Sequence, residues 1–378
     1  MSRKTIQFFP GLNALRFFAA LSVIVGHVEL IKLGMGLDNW FNFFVKLNLG
    51  GLGVYFFFVL SGFLITYLLL KEKDKHNTIS IKKFYLRRVF RIWPLYYLLV
   101  LLGFFVLPHI HVIDLPYYKQ HFEANFGYNL LFYLLILPNV AFSIYSAVPH
   151  IGQSWSIGVE EQFYIFWPLL IKKAKNVGQL IIIAFVSIII LKATLLVFFK
   201  LYPQNQALLY TKNFLVMCRF ESMMIGAYGA YLLFYEKQKI LHVIYHPATF
   251  YFSLLSFLPI NYIVFDSFIQ DGIHLVLSVL FLIIILNIST NPTCKIKLTN
   301  PILEYLGTIS YGLYMYHLIL IPFIVALAKN YLNYTGNGFI ENSLVYLLSV
   351  LISIVFSAIS YKYFESFFLK FKKKFNTS

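Results

Sequence analysis

The chain has 378 residues, of which 60% are hydrophobic and only 12% charged, with a mean hydropathy of +0.74. Soluble domains carry about 25% charged residues, so a water-soluble globular protein is excluded. The net charge of +16 would suit nucleic acid in a soluble chain, but lysine and arginine also gather in cytoplasmic loops of membrane proteins.

The apolar residues fall in blocks of bilayer-spanning length, about 20 residues each. The blocks predict spans at 11–31, 47–70, 92–108, 157–171, 178–199, 213–235, 245–265, 273–290, 302–328 and 342–364. The N-terminal "MSRK" could open a signal peptide, but Arg16 interrupts the apolar run and "IVGHVEL" lacks a small-residue cleavage pattern. The first block is therefore expected to be a permanent span. The stretch 128–145, "YNLLFYLLILPNVAFSIY", is broken at Pro138-Asn139 and is expected to dip in and return on the outer side. The fold class is all-α: a polytopic integral membrane protein of about ten transmembrane helices plus this short re-entrant or interfacial segment, forming a single domain over residues 1–378.

With both termini cytoplasmic, 22 of the 31 lysines and arginines fall inside, 6 outside and 3 within spans. That asymmetry supports the ten-span topology and leaves no nucleic-acid partner to account for the charge. Cys218 and Cys294 provide neither a disulfide framework nor a metal-ligand spacing, and no metal is expected.

Ionisable groups within spans carry the functional signal, because each is costly in a bilayer. Arg16 and His27 in "GLNALRFFAALSVIVGHVEL" are 11 residues apart. On a helix that separation is about 16 Å and returns to within about 20° of one face. Snorkelling and a helix–helix hydrogen bond are the structural alternatives for this pair. Next comes "IKKFYLRRVFRIWPLYY", with Arg87, Arg88 and Arg91 at the inner mouth of the third span. Arg88 and Arg91 share a helix face and suit phosphate, with juxtamembrane anchoring the competing explanation. In "GQSWSIGVEEQFYIFWPLL", Glu160 and Glu161 stand beside Trp155 and Ser156 at the same depth as His27. One glutamate could orient the imidazole as a general base. Farther on, "CRFESMMIGAYGAY" places Arg219 and Glu221 two residues apart, so separate partners are expected for them. Lys192 reads as a snorkelling residue without a role, His317 as a packed core histidine, and Ser61-Gly62 as a close helix contact.

Taken in order, "LRFFAALSVIVGH", "YFFFVLSGFLI", "FYLRRVFRIWPLYY", "QSWSIGVEEQFY", "RFESMMIGAYGAY" and "ISYGLYMYHLIL" resemble the acyltransferase 3 family of membrane-bound O-acyltransferases along nearly the whole chain. The resemblance implies a ten-helix bundle that moves an acyl group, often acetyl, from cytoplasmic acyl-CoA to a hydroxyl of a glycan or lipid-linked sugar at the outer face. It further implies that Arg16 and His27 are the essential pair, that Arg88 and Arg91 form the Arg-x-x-Arg donor motif, and that Glu160 is the motif acid. The expected form is the stand-alone one, in a bacterial inner membrane.

On this reading the donor phosphates meet Arg88 and Arg91, with Arg87 and Lys83 as lesser aids. The thioester runs up span 1 to His27, which Glu160 orients, and Arg16 positions the thioester or stabilises its oxyanion. Glu161, Trp155, Ser156, Arg219 and Glu221 are the acceptor-side candidates. The rival reading is a transporter or flippase for a polar lipid-linked sugar, without CoA chemistry.

Overall fold

A computed structural model describes residues 8–40, 47–262 and 267–375. Arg3, Lys4 and Lys46 of the charge count lie outside these residues. The described residues form helices and turns, with no strand among them.

Among the described residues, seven helices are long and apolar enough to cross a bilayer. They are α1 (Leu12–Gly34), α2 (Leu49–His76), α3 (Ile81–Phe105), α8 (Val177–Leu201), α13 (Ser267–Thr290), α15 (Ser310–Leu332) and α16 (Phe339–Ser360). The most apolar window of α15 is 83% buried and that of α8 only 6%. The first is therefore an inner column and the second presents itself to lipid on nearly every side.

The expected span at 245–265 is a bent pair, α11 (Gln238–Tyr245) and α12 (Pro247–Tyr262), turned by 59°. Pro247 pushes its preceding residue out of helical geometry. Counting this pair as one span gives eight.

The count of ten is not reproduced, and the two remaining expected spans have specific reasons. At 213–235, Arg219 adopts a left-handed backbone (φ 41°) and divides the segment into α9 (Gln206–Cys218) and α10 (Phe220–Phe234). Thirteen and fifteen residues reach about 20 Å each at 1.5 Å per residue, short of a hydrocarbon core of about 30 Å. At 157–171, α7 (Trp155–Lys173) is a continuous helix, but its 19 residues include Glu160, Glu161, Lys172 and Lys173.

The 128–145 stretch becomes α5 (Phe126–Leu134) and α6 (Pro138–Tyr145), with α4 (Pro116–Ala124) preceding them. Ile136 turns left-handed (φ 57°) between them. The rings of Tyr128 and Tyr145 stack 5.7 Å apart, so the two ends of the segment meet and the chain doubles back. α14 (Pro301–Thr308) leads into α15. A π turn, Tyr361–Glu365, leads from α16 into α17 (Ser366–Lys373).

Glycines set the tightest crossing, between α2 and α10. A Cβ on Gly62 would lie 2.0 Å from the Met223 carbonyl oxygen, and one on Gly226 would lie 2.0 Å from that of Val59. The two backbones therefore touch directly, the small-residue packing expected at Ser61-Gly62. α1 packs on α2, α14, α15 and α16. Its Lys32 and Glu29 form a 2.8 Å ion pair whose side chains are 0% and 1% exposed. Asn342 Oδ1 and the Gly336 carbonyl also accept from Lys32 Nζ, and Tyr346 and the Trp40 amide donate to Glu29. A buried ion pair is tolerable only when its remaining lone pairs and protons are satisfied in this way.

Candidate active site

Helices α1, α2, α3, α7, α15 and α17 enclose a cavity of about 300 Å³. Arg16, Arg88, Arg91 and Lys372 all line it, with Glu160 as its lining carboxylate. Arg88 and Arg91 reach it together because a three-residue step keeps them on one helix face. Arg87, one residue earlier, is turned away by about 100°. It donates instead to Glu72 (3.1 Å) and to the Phe375 carbonyl (2.9 Å). Arg87 is thus a structural clamp and not a lining residue, and Lys83 is exposed and also does not line the cavity.

Each cation is held differently. Arg16 donates from Nη1 to Asn13 Oδ1 (3.1 Å), and Asn13 Nδ2 donates to Glu304 Oε2 (2.9 Å) on α14. Arg88 lies over the faces of Tyr164 (5.2 Å) and Phe84 (5.6 Å), and its buried Nε has no hydrogen-bond partner among the described residues. Ring faces hold the guanidinium by cation–π attraction while leaving its N–H edges for a ligand.

Glu160 accepts from Ser61 (2.6 Å) and from Tyr164 (2.8 Å). Its charged neighbours are Arg16 and Arg88. The expected Glu160–His27 pair is therefore not formed: Glu160 bonds to Ser61, whereas His27 lies against Gly50, eleven residues or about 16 Å away along α2, so the two side chains sit at different depths. Ser61 has two jobs in consequence, close packing through its neighbour Gly62 and a hydrogen bond to this carboxylate. Glu161 is buried and accepts from Trp93 Nε1 (3.2 Å), outside the cavity.

His27 is oriented by its own helix. Its Nδ1 lies 2.8 Å from the Val23 carbonyl oxygen. A carbonyl can only accept, so the proton sits on Nδ1 and Nε2 keeps its lone pair. The ring packs on His317, with centroids 4.9 Å apart. His317 has the sequence context of an ordinary core histidine, yet its buried Nε2 has no partner among the described residues. His27 does not line the cavity. Tyr314 and Phe57 line the cavity, and Tyr314 is in ring contact with His317 (5.8 Å), which packs in turn on His27. The expected open path from the arginines to His27 is thus not seen here: the rings of Tyr314 and His317 form the chain of contacts between the cavity and His27. Ser156, also a lining residue, holds Tyr314 in place through a 2.6 Å hydrogen bond between their hydroxyls.

A second cavity, of about 400 Å³, is lined by Trp155, Arg219, Tyr55 and Asn213, among others. Glu221 lies beside it in a 2.6 Å ion pair with Lys192, and Arg219 Nη1 is 3.9 Å from the same carboxylate oxygen. This corrects two expectations. Lys192 does not snorkel but neutralises a buried glutamate. Arg219 and Glu221 do share a contact, because the left-handed break at Arg219 removes the helical spacing that would have kept them apart. Lys372, the remaining surprise, has the ordinary look of a terminal anchoring charge in the sequence, and only tertiary packing brings it to the cavity.

Comparison with known proteins bears on this geometry. A family model described as an acyltransferase domain matches residues 9–362. A Staphylococcus aureus (strain COL) protein provisionally named O-acetyltransferase is 29% identical, over 97% of this chain and 58% of its own length. The O-acetyltransferase OatA of S. aureus (strain NCTC 8325 / PS 47) is 27% identical, over 95% of this chain and 57% of its own. The chain therefore spans rather more than half the length of these curated relatives. No solved structure matches.

Proposed function

Because the chain belongs to the acyltransferase 3 family, we propose that it moves an acyl group from cytoplasmic acyl-CoA to a hydroxyl of a glycan or lipid-linked sugar at the outer face. Acetyl is the group favoured by the names of the relatives. The chain acts as one domain, multi-pass in a bacterial inner membrane, with both termini cytoplasmic.

The observation that carries this reading is the convergence of Arg16, Arg88 and Arg91 on one cavity whose lining carboxylate is Glu160. Like charges gathered in a low-dielectric site repel, and a polyphosphate relieves that repulsion. CoA carries a diphosphate and a 3′-phosphate, and its pantetheine arm is long enough to extend past them toward His27.

The chemistry follows from the free lone pair of His27. Nε2 takes the proton of the acceptor hydroxyl as that oxygen attacks the thioester carbonyl carbon. Collapse of the tetrahedral intermediate breaks the C–S bond, and the departing thiolate receives the proton. Arg16, fixed through Asn13 and Glu304, positions the thioester or stabilises its oxyanion. Charged donors aimed at such an oxygen are worth about 3–4 kcal/mol. For the thioester to reach His27, the Tyr314 and His317 rings turn aside. On the acceptor side, the cavity bearing Trp155, Arg219 and Tyr55 suits a sugar, with apolar faces for the ring and a cation for a phosphate or acid.

Membranes bearing the protein, incubated with radiolabelled acetyl-CoA, test the proposal. The expected result is an alkali-labile acetyl ester on a glycan or lipid-linked sugar. Translocation of a lipid-linked sugar without any use of the thioester would replace the proposal with the transporter reading.

A further inference from the structure

We propose that Lys372 is a fourth phosphate-binding cation of the donor site, delivered to it by the helix that follows the π turn. The assignment rests on the donor reading above and adds a residue from a part of the chain that reading does not use.

Lys372 lines the same cavity as Arg16, Arg88 and Arg91. It is half-buried, whereas Lys370 on the same helix is exposed. The neighbouring lysines are occupied with rings, Lys362 with Tyr363 (5.0 Å) and Lys374 with Phe371 (5.5 Å). Among the described residues the Lys372 ammonium makes no ion pair or hydrogen bond, although Arg91, Arg88, Arg16 and Arg87 are its charged neighbours.

A lysine free to swing would leave such company for water. This one is kept there by the docking of its helix. Phe371 and Phe375 both stack on Phe90 of α3, each with centroids 5.8 Å apart. Arg87, itself tied to Glu72, holds the Phe375 carbonyl. At the other end the π turn leads into the helix with Glu365 buried, accepting from Ser360. The aromatic pair therefore brackets Lys372 and directs it at the cavity. A cation held against its own kind is useful where a polyanion binds, because the cost of assembling the charges has already been met by folding. A lysine ammonium then serves as a point charge to a phosphate oxygen beside the multidentate arginines.

The test is the binding of CoA and of dephospho-CoA to the purified full-length protein by calorimetry. Lys372→Ala should raise the Kd for CoA about tenfold, the scale of one charge-assisted hydrogen bond. Lys372→Arg should restore most of the affinity. Lys370→Ala, an equal loss of charge on the exposed side of the same helix, should bind as the unaltered protein does. Phe90→Ala, which undocks the helix, should reproduce the Lys372→Ala defect. A defect seen with CoA alone places the contact at the 3′-phosphate, and one seen with both ligands places it at the diphosphate. Should Lys372→Ala fold poorly, Lys372→Gln, judged by a melting temperature equal to that of Lys370→Ala, takes its place. CoA affinity unchanged in Lys372→Ala but lost in Arg88→Ala would overturn the assignment and leave the donor reading standing. Absence of CoA binding in the unaltered protein would remove the donor reading itself, and Lys372's role with it.

Discussion

The imidazoles of His27 and His317 face each other with ring centroids 4.9 Å apart and planes tilted by 59°. His27 donates from Nδ1 to the Val23 carbonyl, so its Nε2 is the basic nitrogen. His27→Ala should therefore lower acyl transfer by about 10²–10⁴-fold, the range for loss of a general base. CoA affinity should stay at the wild-type value because His27 does not line the cation cavity. Single-turnover rates alongside equilibrium CoA binding separate the two effects. A fall in affinity with an unchanged rate would move His27 from chemistry to binding.

Glu160 answers differently. It stands among Arg16 and Arg88 and not beside His27. Glu160→Gln removes the lining carboxylate from a cavity of four cations, so the empty protein should lose about 1–3 kcal/mol of stability. CoA, by supplying the missing negative charge, should then raise the melting temperature more in the variant than in the wild type. Were Glu160 instead the orienting partner of His27, the variant would shift the pH profile of transfer and leave the CoA-dependent melting shift unchanged.

The Glu29–Lys32 pair makes a purely structural prediction. Both side chains are essentially inaccessible, and removing one partner of a buried pair costs about 3–5 kcal/mol. Lys32→Met should lower the melting temperature in detergent sharply. The double variant Lys32→Met/Glu29→Leu should recover part of the loss, since no uncompensated charge remains. Equal melting temperatures for Lys32→Met and wild type would mean that the pair contributes nothing.

At the crossing of α2 and α10, Gly226→Ala would drive a methyl group into the Val59 carbonyl. Overpacking of this kind costs about 1–3 kcal/mol, and here backbone must move. Reduced yield and a lowered melting temperature are expected. An alanine variant as stable as the parent would show that the two helices separate freely.

Helical periodicity made part of this site readable in advance. The shared face of Arg88 and Arg91 depends only on residues within a turn of each other, and the small side chains of Ser61-Gly62 signal a close helix contact whatever the partner. What periodicity could not show was the depth at which each helix sits in the bundle. That depth takes Glu160 to Ser61 and the arginines, about 16 Å from the level of His27, and leaves His27 to the Val23 carbonyl. Nor could it show a break without a proline or glycine. The left-handed turn at Arg219 shortens an apparent span and creates the contact with Glu221. Lys192 finds Glu221 across 29 residues of sequence, a pairing no local pattern signals. Lys372 depends on a π turn and on rings stacked across to α3, both tertiary facts.

Acyl transfer on the proposed route needs one passage from the cation cavity to His27, opened by movement of the Tyr314 and His317 rings. An experimental structure of the protein with a non-transferable acyl-CoA analogue bound tests it most directly. The expected structure has phosphates against Arg88 and Arg91, the pantetheine arm past displaced Tyr314 and His317 rings, and the carbonyl carbon beside His27 Nε2. An analogue whose acyl end lies away from α1, with Tyr314 still bonded to Ser156, would contradict it.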